Sequence, residues 1–572
     1  MKFYKNFFFI LFFFIKNYII GNRYNIYGGI PLKKKFLLIL CFSIIICLTT
    51  ACSNTGKETT DVINNTNTVT ETTTDSTSDI SATTDTAEET AEGTTSVSET
   101  EPTTNYTTEP QSGREKSEST KFTNNMTITK AGTYAYAGVK NAPITVKVGE
   151  EDDVTIVLSN LTINNKQGPA IIIESGKNVY LELAENTTNT LSDGTSYSIT
   201  NENATVDGAI FSACDLKITG TGTLIVNGNY KHGIVSKDDL EVNSGTVKVT
   251  SKNVALNGKD SVEINGGNIT LNAGTDAVRA DNIVSAAKGN VFLNGGTLNI
   301  IANNDGIQAE QKITITNINL NIQAAGGSSN LSASEKTYKA LKSTSDITIS
   351  GGTITLDSQG DCISSDSNIY ITNGNLTLYS GDDAISANGN VSVSKGNIKL
   401  TTNDAGITSD NDLSISGGYI YINSNGKGLN SKANLNISGG TTLINGSSSV
   451  TGNSAISFKS SGNISGGILV ALSNCKDKAQ SLTSANQGIV LAKFAQQKSN
   501  DLFAVCDSTG KVVASIKPNK NYQVAIVSTP DIIVDGKYSV VTGATISGTD
   551  VYGYTNNTTK TGGNELTTTS AK

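Results

Sequence analysis

The sequence predicts an all-β chain, a parallel β-helix with rungs of about 22 residues followed by a β-structured C-terminal cap. Three observations carry that expectation. Glycines recur at Gly352, Gly374, Gly396, Gly418 and Gly440, and aliphatic residues at Leu341, Ile363, Ile385, Ile407 and Leu429, both with a spacing of 22. Two independent columns with one period mean one structural unit stacked in copies. Within a unit the alternation is that of strands: Ile369 and Ile371 face one way and Tyr370 the other. Asn373-Gly374 then turns the chain, Leu376 and Leu378 face inward, and Gly381 to Asp383 turns it again before Ile385. Rungs stack about 4.8 Å apart, so about eleven of them between Ile210 and Gly467 make a rod on the order of 50 Å long.

Composition agrees. The 572 residues include no Trp, two Met and seven Pro, and Asn, Ser, Thr and Gly supply the turns. The formal net charge of −8, with no basic cluster, argues against a nucleic-acid partner. An acidic polysaccharide stays open as a partner, because a cation can bridge two negative surfaces. Cys214, Cys362, Cys475 and Cys506 are scattered without CxxC spacing and read as small buried hydrophobes.

The chain in order begins with residues 1–52, read as an export and lipoprotein signal. Lys33, Lys34 and Lys35 precede an apolar run from Phe36 to Leu48, and Thr49-Thr50-Ala51 leads to Cys52. Cys52 is the expected lipidation site. Residues 1–31 are expected to be a misassigned extension, with translation starting near Leu32; sequencing the precursor's N-terminus tests this. The alternative, a true membrane segment, also leaves the bulk of the chain outside the cytoplasm. Residues 53–120, rich in Thr, Ser and Glu, cannot bury enough apolar surface to fold and read as a disordered tether. Residues 121–467 are the β-helix, with its largest insertion at 325–337; 468–555 form a β cap, with Ser508-Thr-Gly510 as a hairpin turn, and 556–572 a flexible polar tail.

The candidate chemistry lies in the turn before each repeating aliphatic. Asp276, Asp305, Asp361 and Asp383 stand two places before it, and Asp382 and Asp404 three places before. Just past the same strand runs a second column: Asp281, Glu310, Asp366, Asn388 and Asp410. Two unit charges about 5 Å apart at an effective dielectric of 20 repel by roughly 3 kcal/mol. Stacked carboxylates therefore need solvation, raised pKa values or a cation, and hard oxygen ligands suit Ca²⁺. Asp361, Asp382, Asp383 and Asp404 are the sharpest candidate site; the plain alternative is that Asp is a good turn residue. Lys339 and Lys427 occupy the Asp position on flanking rungs, as weak candidates for a proton-abstracting base or as counter-charges closing the column. His232, the one histidine, reads as a turn residue. Tyr419, Tyr421, Tyr370 and Tyr379 face outward and are candidates to stack on sugar rings, although β-propensity also explains them.

The strings Gly168-Pro-Ala-Ile171, Asn189-Thr-Leu-Ser-Asp-Gly194, Asn227-Gly-Asn-Tyr-Lys-His-Gly-Ile234, Ser236-Lys-Asp-Asp239 and Asn304-Asp-Gly-Ile-Gln-Ala-Glu310 resemble the clostridial-type carbohydrate-binding domain-containing lipoproteins. That family is similar in fold to family-nine pectate lyases, and the resemblance covers about residues 126–550. It implies a right-handed parallel β-helix, Ca²⁺ in the Asp-rich turns and binding of plant polysaccharide, including acidic pectin-like chains. The sequence departs from the family at Asn253-Val-Ala-Leu256, where an acidic turn is usual, and at Lys339 and Lys427.

The expected function is a calcium-bearing, cell-surface polysaccharide-binding protein, anchored to the membrane by lipid. Two alternatives stand beside it: a polysaccharide lyase cleaving uronates by β-elimination, and a structural adhesin.

Overall fold

The computed structural model describes residues 123–198, 206–330 and 338–572, all within the compact unit Gly113–Lys572. The signal at 1–52, Cys52, the tether at 53–120 and the end of the insertion (331–337) lie outside the described residues. All regular structure here is β, and the strands stack in parallel as a β-helix.

One rung shows how the sequence makes the coil. Ile363–Ser365, Ile369–Ile371 and Asn375–Ser380 are three short strands separated by turns. Each lies parallel to the strand 22 residues later: Ile363 on Ile385, Ile369 on Val391, Leu376 on Ile398. Three ladders result. The first face is a sheet of fourteen strands, running from Thr127–Ile128 to Ile456–Phe458. The second face includes Ile347–Ile349 through Leu435–Ile437, and the third Thr353–Ser358 through Thr441–Asn445.

The inward aliphatics form one continuous core. Leu341, Ile363, Ile385, Ile407 and Leu429 are all 0% exposed. The corners are polar but satisfied: the buried hydroxyls of Ser365, Ser380 and Ser431 donate to the carbonyls of Ser345, Gly360 and Asn411 at 2.6, 2.7 and 2.8 Å. The repeating glycines are needed for a stated reason. Gly396 has φ +105°, and a Cβ there would lie 2.9 Å from the carbonyl oxygen of Gly374 on the rung below.

Parallel stacking runs further in both directions than the regular period suggests. It begins at Thr127–Ile128 on Ile144–Lys147, well before Ile210. At the other end Ile468–Ser473 still stacks in parallel on Thr441–Asn445, and its other edge takes Tyr522–Ser528 antiparallel. That strand is the seam between rod and cap. The cap has a six-stranded sheet that includes the Phe503–Cys506/Lys511–Ile516 hairpin, and a core where Phe494 and Phe503 meet Tyr522 edge-on. The expected loose tail is a correction: Thr558–Thr561 and Asn564–Ser570 are strands, paired with Lys511–Val512 and Lys537–Thr542. Threonine-rich strands form here because threonine is β-branched, and Leu566 of the last strand packs against the cap core. The four described cysteines are free and buried.

Candidate functional site

The turn leading into the first face presents one residue per rung: Asp276, Asp305, Lys339, Asp361, Asp383, Ala405 and Lys427. Each carboxylate of this column accepts a backbone N–H from the next rung. Asp276 Oδ1 takes Asp305 N at 3.2 Å, Asp305 Oδ1 takes Lys339 N at 2.7 Å, Asp361 Oδ1 takes Asp383 N at 3.1 Å and Asp383 Oδ1 takes Ala405 N at 2.8 Å. The acids are thus turn residues that bond across the coil, and the question is what their second oxygens meet.

On the upstream rungs they meet bases. Asp276 Oδ2 lies 4.0 Å from Arg279, Asp305 Oδ2 lies 3.0 Å from Lys342 Nζ, and Asp361 Oδ2 lies 2.9 Å from Lys339 Nζ. Burial pushes the Asp361 carboxyl up while Lys339 pulls it down. Lys339 thus stands as a counter-charge to Asp361. Lys427, one rung past Ala405, donates to Asn430 Oδ1 at 2.9 Å.

Further along, the acids meet one another. Carboxylate oxygens of Asp382, Asp383 and Asp404 all lie within 4.8 Å of each other. Asp383 is largely enclosed, and burial pushes it up to about 6, with the neighbouring Asp361 and Asp404 carboxylates adding to the rise. Thr408, 6% exposed, lies against Asp383, and its side-chain hydrogen bond to that carboxylate opposes the rise. Asp382 is half-buried and Asp404 exposed, so the cluster opens to solvent. Oxygens sharing one calcium at 2.3–2.6 Å are at most about 5 Å apart, so the spacing of these three hard donors is compatible with such an ion.

The remaining acids do not join this group. In the second column Asp410 pairs with Lys432 at 2.6 Å, Asp366 accepts Asn388 Nδ2 at 3.1 Å and Glu310 accepts Gln308 Nε2 at 3.0 Å, while Asp281 is half-buried. A second trio, Asp215, Asp238 and Asp239, also brings its oxygens within 4.8 Å of one another. Sequence reasoning passed over it, although Asp215 and Asp239 sit on successive strands of the second face. Lys288 reaches over this corner to Asp260 and lies 3.9 Å from Asp238. Burial, then a hydrogen bond with Asp260, pushes Asp238 up to about 6. Also missed was a polar ladder with the same period: Asp346, Asn368, Asn390 and Asp412 each accept the backbone N–H 22 residues on.

Two of the four tyrosines are corrected. Tyr421 is only 8% exposed because Tyr552 of the cap stacks on it with ring centroids 3.9 Å apart, and Tyr419 bonds Asp550 through its hydroxyl. Their faces are used to dock the cap and are closed to a sugar. Tyr370 and Tyr379 are 36% and 37% exposed, but on the second and third faces respectively, so they form no common platform. His232, expected in a turn, instead opens the strand His232–Ser236 of the first face and is partly buried: its Nδ1 accepts Val254 N at 3.2 Å and its Nε2 faces Asp207 at 3.6 Å.

Comparison with known proteins points one way. Residues 123–384 match the model of the carbohydrate-binding domain-containing protein family. A carbohydrate-binding domain-containing protein of Acetivibrio thermocellus is 34% identical over 124 residues, which is 21% of this chain and 43% of that protein, so the chain spans less than half of its relative. The solved structure of a polysaccharide lyase-like protein from C. thermocellum, a gadolinium derivative, is 34% identical over 35% of this chain and 82% of its own, with a TM-score of 0.34. Residues 123–384 are thus similar to the carbohydrate-binding domain-containing protein family.

Proposed function

We propose that the chain binds polysaccharide on its β-helix, and that a calcium ion held by Asp382, Asp383 and Asp404 takes part when the glycan is acidic. The family match supports the polysaccharide partner. The meeting of three carboxylates from consecutive rungs, with oxygens within 4.8 Å, carries the cation reading. Bound there, calcium would neutralise the trio and present open coordination positions to a uronate carboxylate. Lipid attachment at Cys52 and the polar tether 53–120, at most about 240 Å long when fully extended, would hold this rod out from a membrane surface.

The test is a pull-down of the full chain on polygalacturonate, with and without chelator, beside calcium titration calorimetry of wild type and the double variant D382N/D404N. Retention that chelator removes, and a calcium affinity at least 100-fold weaker in the variant, are expected. Calcium uptake unaltered by the variant would defeat the ion site, and chelator-insensitive retention would separate glycan binding from it. Absorbance of an unsaturated product during the same incubation would move the reading to a lyase.

A further inference from the structure

Downstream of the acids the same turn column changes character. The position two places before the core aliphatic holds Asp383, then Ala405, Lys427 and Ser454 on successive rungs. Upstream, a carboxylate there accepts the next rung's N–H, as Asp383 Oδ1 does for Ala405 at 2.8 Å. Neither a methyl group nor an ammonium can accept, so the N–H groups of Lys427 and Ser454 lack the partner that this corner supplies elsewhere. Both residues line a pocket of about 320 Å³, with Asn453 and Ser457 beside them and the segment 477–480 closing it on the following rung.

The walls of this pocket are held in place. Gln480 commits both ends of its amide to Phe458, Oε1 accepting N at 2.8 Å and Nε2 donating to O at 3.0 Å, which lays its segment against the last strand of the first face. Lys427 Nζ is oriented by Asn430 Oδ1 at 2.9 Å, and two of its three protons remain to be given. Ser454 is 4% exposed; its Oγ accepts Ile456 N at 3.4 Å and keeps its own proton. Donors therefore reach the pocket from three successive rungs: Lys427 on one, Asn453, Ser454 and Ser457 on the next, Lys478 on the third. Within the lining two ammonium groups stand against one carboxylate, that of exposed Asp477.

Surplus positive charge and surplus donors call for an anion, and their layout selects its shape. A carboxylate carries two oxygens in one plane. A sulfate or phosphate monoester presents three oxygens to three sides. Rungs lie about 4.8 Å apart, so one such group is within reach of donors on adjacent rungs. Lysines meet it as point charges and need no bidentate geometry. We propose that this pocket binds a tetrahedral oxyanion ester carried on a sugar, held directly by Lys427, Lys478, Ser454 and Ser457 with no metal between. The inference rests on the polysaccharide reading above, and differs from the ion-assisted one in place, in the sign of the protein charge and in the group bound.

The test is titration calorimetry of the full chain in metal-free, low-salt buffer with glucose 6-sulfate, glucose 6-phosphate and glucuronate. At least one ester is expected to bind about tenfold or more tightly than glucuronate, and the tighter ester names the substituent. Added calcium is expected to leave that affinity unchanged. Two variants interrogate the pocket: Lys478→Met removes one ammonium from an exposed segment, and Asn453→Asp brings a negative charge to the lining. Each is expected to weaken ester binding about tenfold or more, with a denaturant midpoint at the wild-type value showing that the fold is intact. The proposal is overturned if neither ester binds, if glucuronate binds as well as both, or if either variant binds the ester as tightly as wild type does. In those cases retention on polygalacturonate still judges the broader reading by itself. A chain that binds the ester as expected yet retains no polysaccharide, sulfated, phosphorylated or plain, keeps the pocket and defeats the broader reading.

Discussion

The upstream and downstream halves of one acidic column are built from the same turn and come to opposite electrostatic ends. At Asp305 and Asp361 the second carboxylate oxygen meets a lysine within about the length of a hydrogen bond, 3.0 and 2.9 Å. At Asp383 the neighbours are Asp382 and Asp404, within 4.8 Å. The backbone role is shared, since Asp305, Asp361 and Asp383 all accept an N–H from the next rung. What differs is the partner supplied by residues one rung away. A repeat therefore fixes where an acid sits, and the residues that depart from the repeat fix whether it is paired with a base or set beside other acids.

The strongest way to break this comparison is to remove a lysine. Lys339→Met leaves Asp361 buried without its counter-charge, and losing one partner of a buried pair costs about 3–5 kcal/mol. A lowered denaturant midpoint is expected, with much of the loss restored by calcium if Asp361 then joins the trio. A midpoint unchanged from wild type would show that the upstream acids need no internal cation. A smaller effect is expected on the second face. Asn390→Ala removes the acceptor that Asp412 N uses at 3.1 Å, in an exposed turn, and should cost about 1 kcal/mol without altering calcium affinity. The same loss accompanied by weaker calcium binding would mean that the two turns are coupled.

A third, pH-dependent effect concerns the seam with the cap. Lys520 is pushed down to about 8 by burial, and its Nζ donates to Ser424 O at 2.5 Å. An unfolded lysine titrates near 10.4, so the folded chain releases this proton first. Stability should therefore be flat below about pH 8 and rise between about 8 and 10.4, by about 2 °C in Tm. In Lys520→Met that rise should disappear; a slope identical to wild type would place the titrating group elsewhere.

Much of the rod was legible because its signals are local and repeated. Leu341, Ile363, Ile385, Ile407 and Leu429 gave the period, the inward direction and the stacking partner together. The positions of the acidic column were legible for the same reason. Side-chain partnership was less so: the period places Lys339 next to Asp361 but does not say whether its ammonium points along the column. Contacts across long separations were hidden. Tyr419 meets Asp550 from 131 residues away, and no repeat in the chain links them. The ladder through Asn368 and Asn390 had the right period but was masked by the abundance of asparagine in every turn. The tail strands were passed over because Thr567, Thr568 and Thr569 look like loop, yet threonine is as suited to a sheet edge as to a tether.

The glycine column has a consequence for how such a chain changes length. Because Gly374 and Gly396 hold equivalent corners, with the carbonyl of one pressed against the α-carbon of the other, excising residues 374–395 would join two chemically identical junctions. The product is a rod shorter by one storey whose remaining floors keep their orientation, whereas losing a single residue would turn a strand's core-facing side chains outward. Recombination between repeats can thus add or subtract whole storeys, and with them acids or lysines, so the charge carried along the column is adjustable by slippage without any new fold.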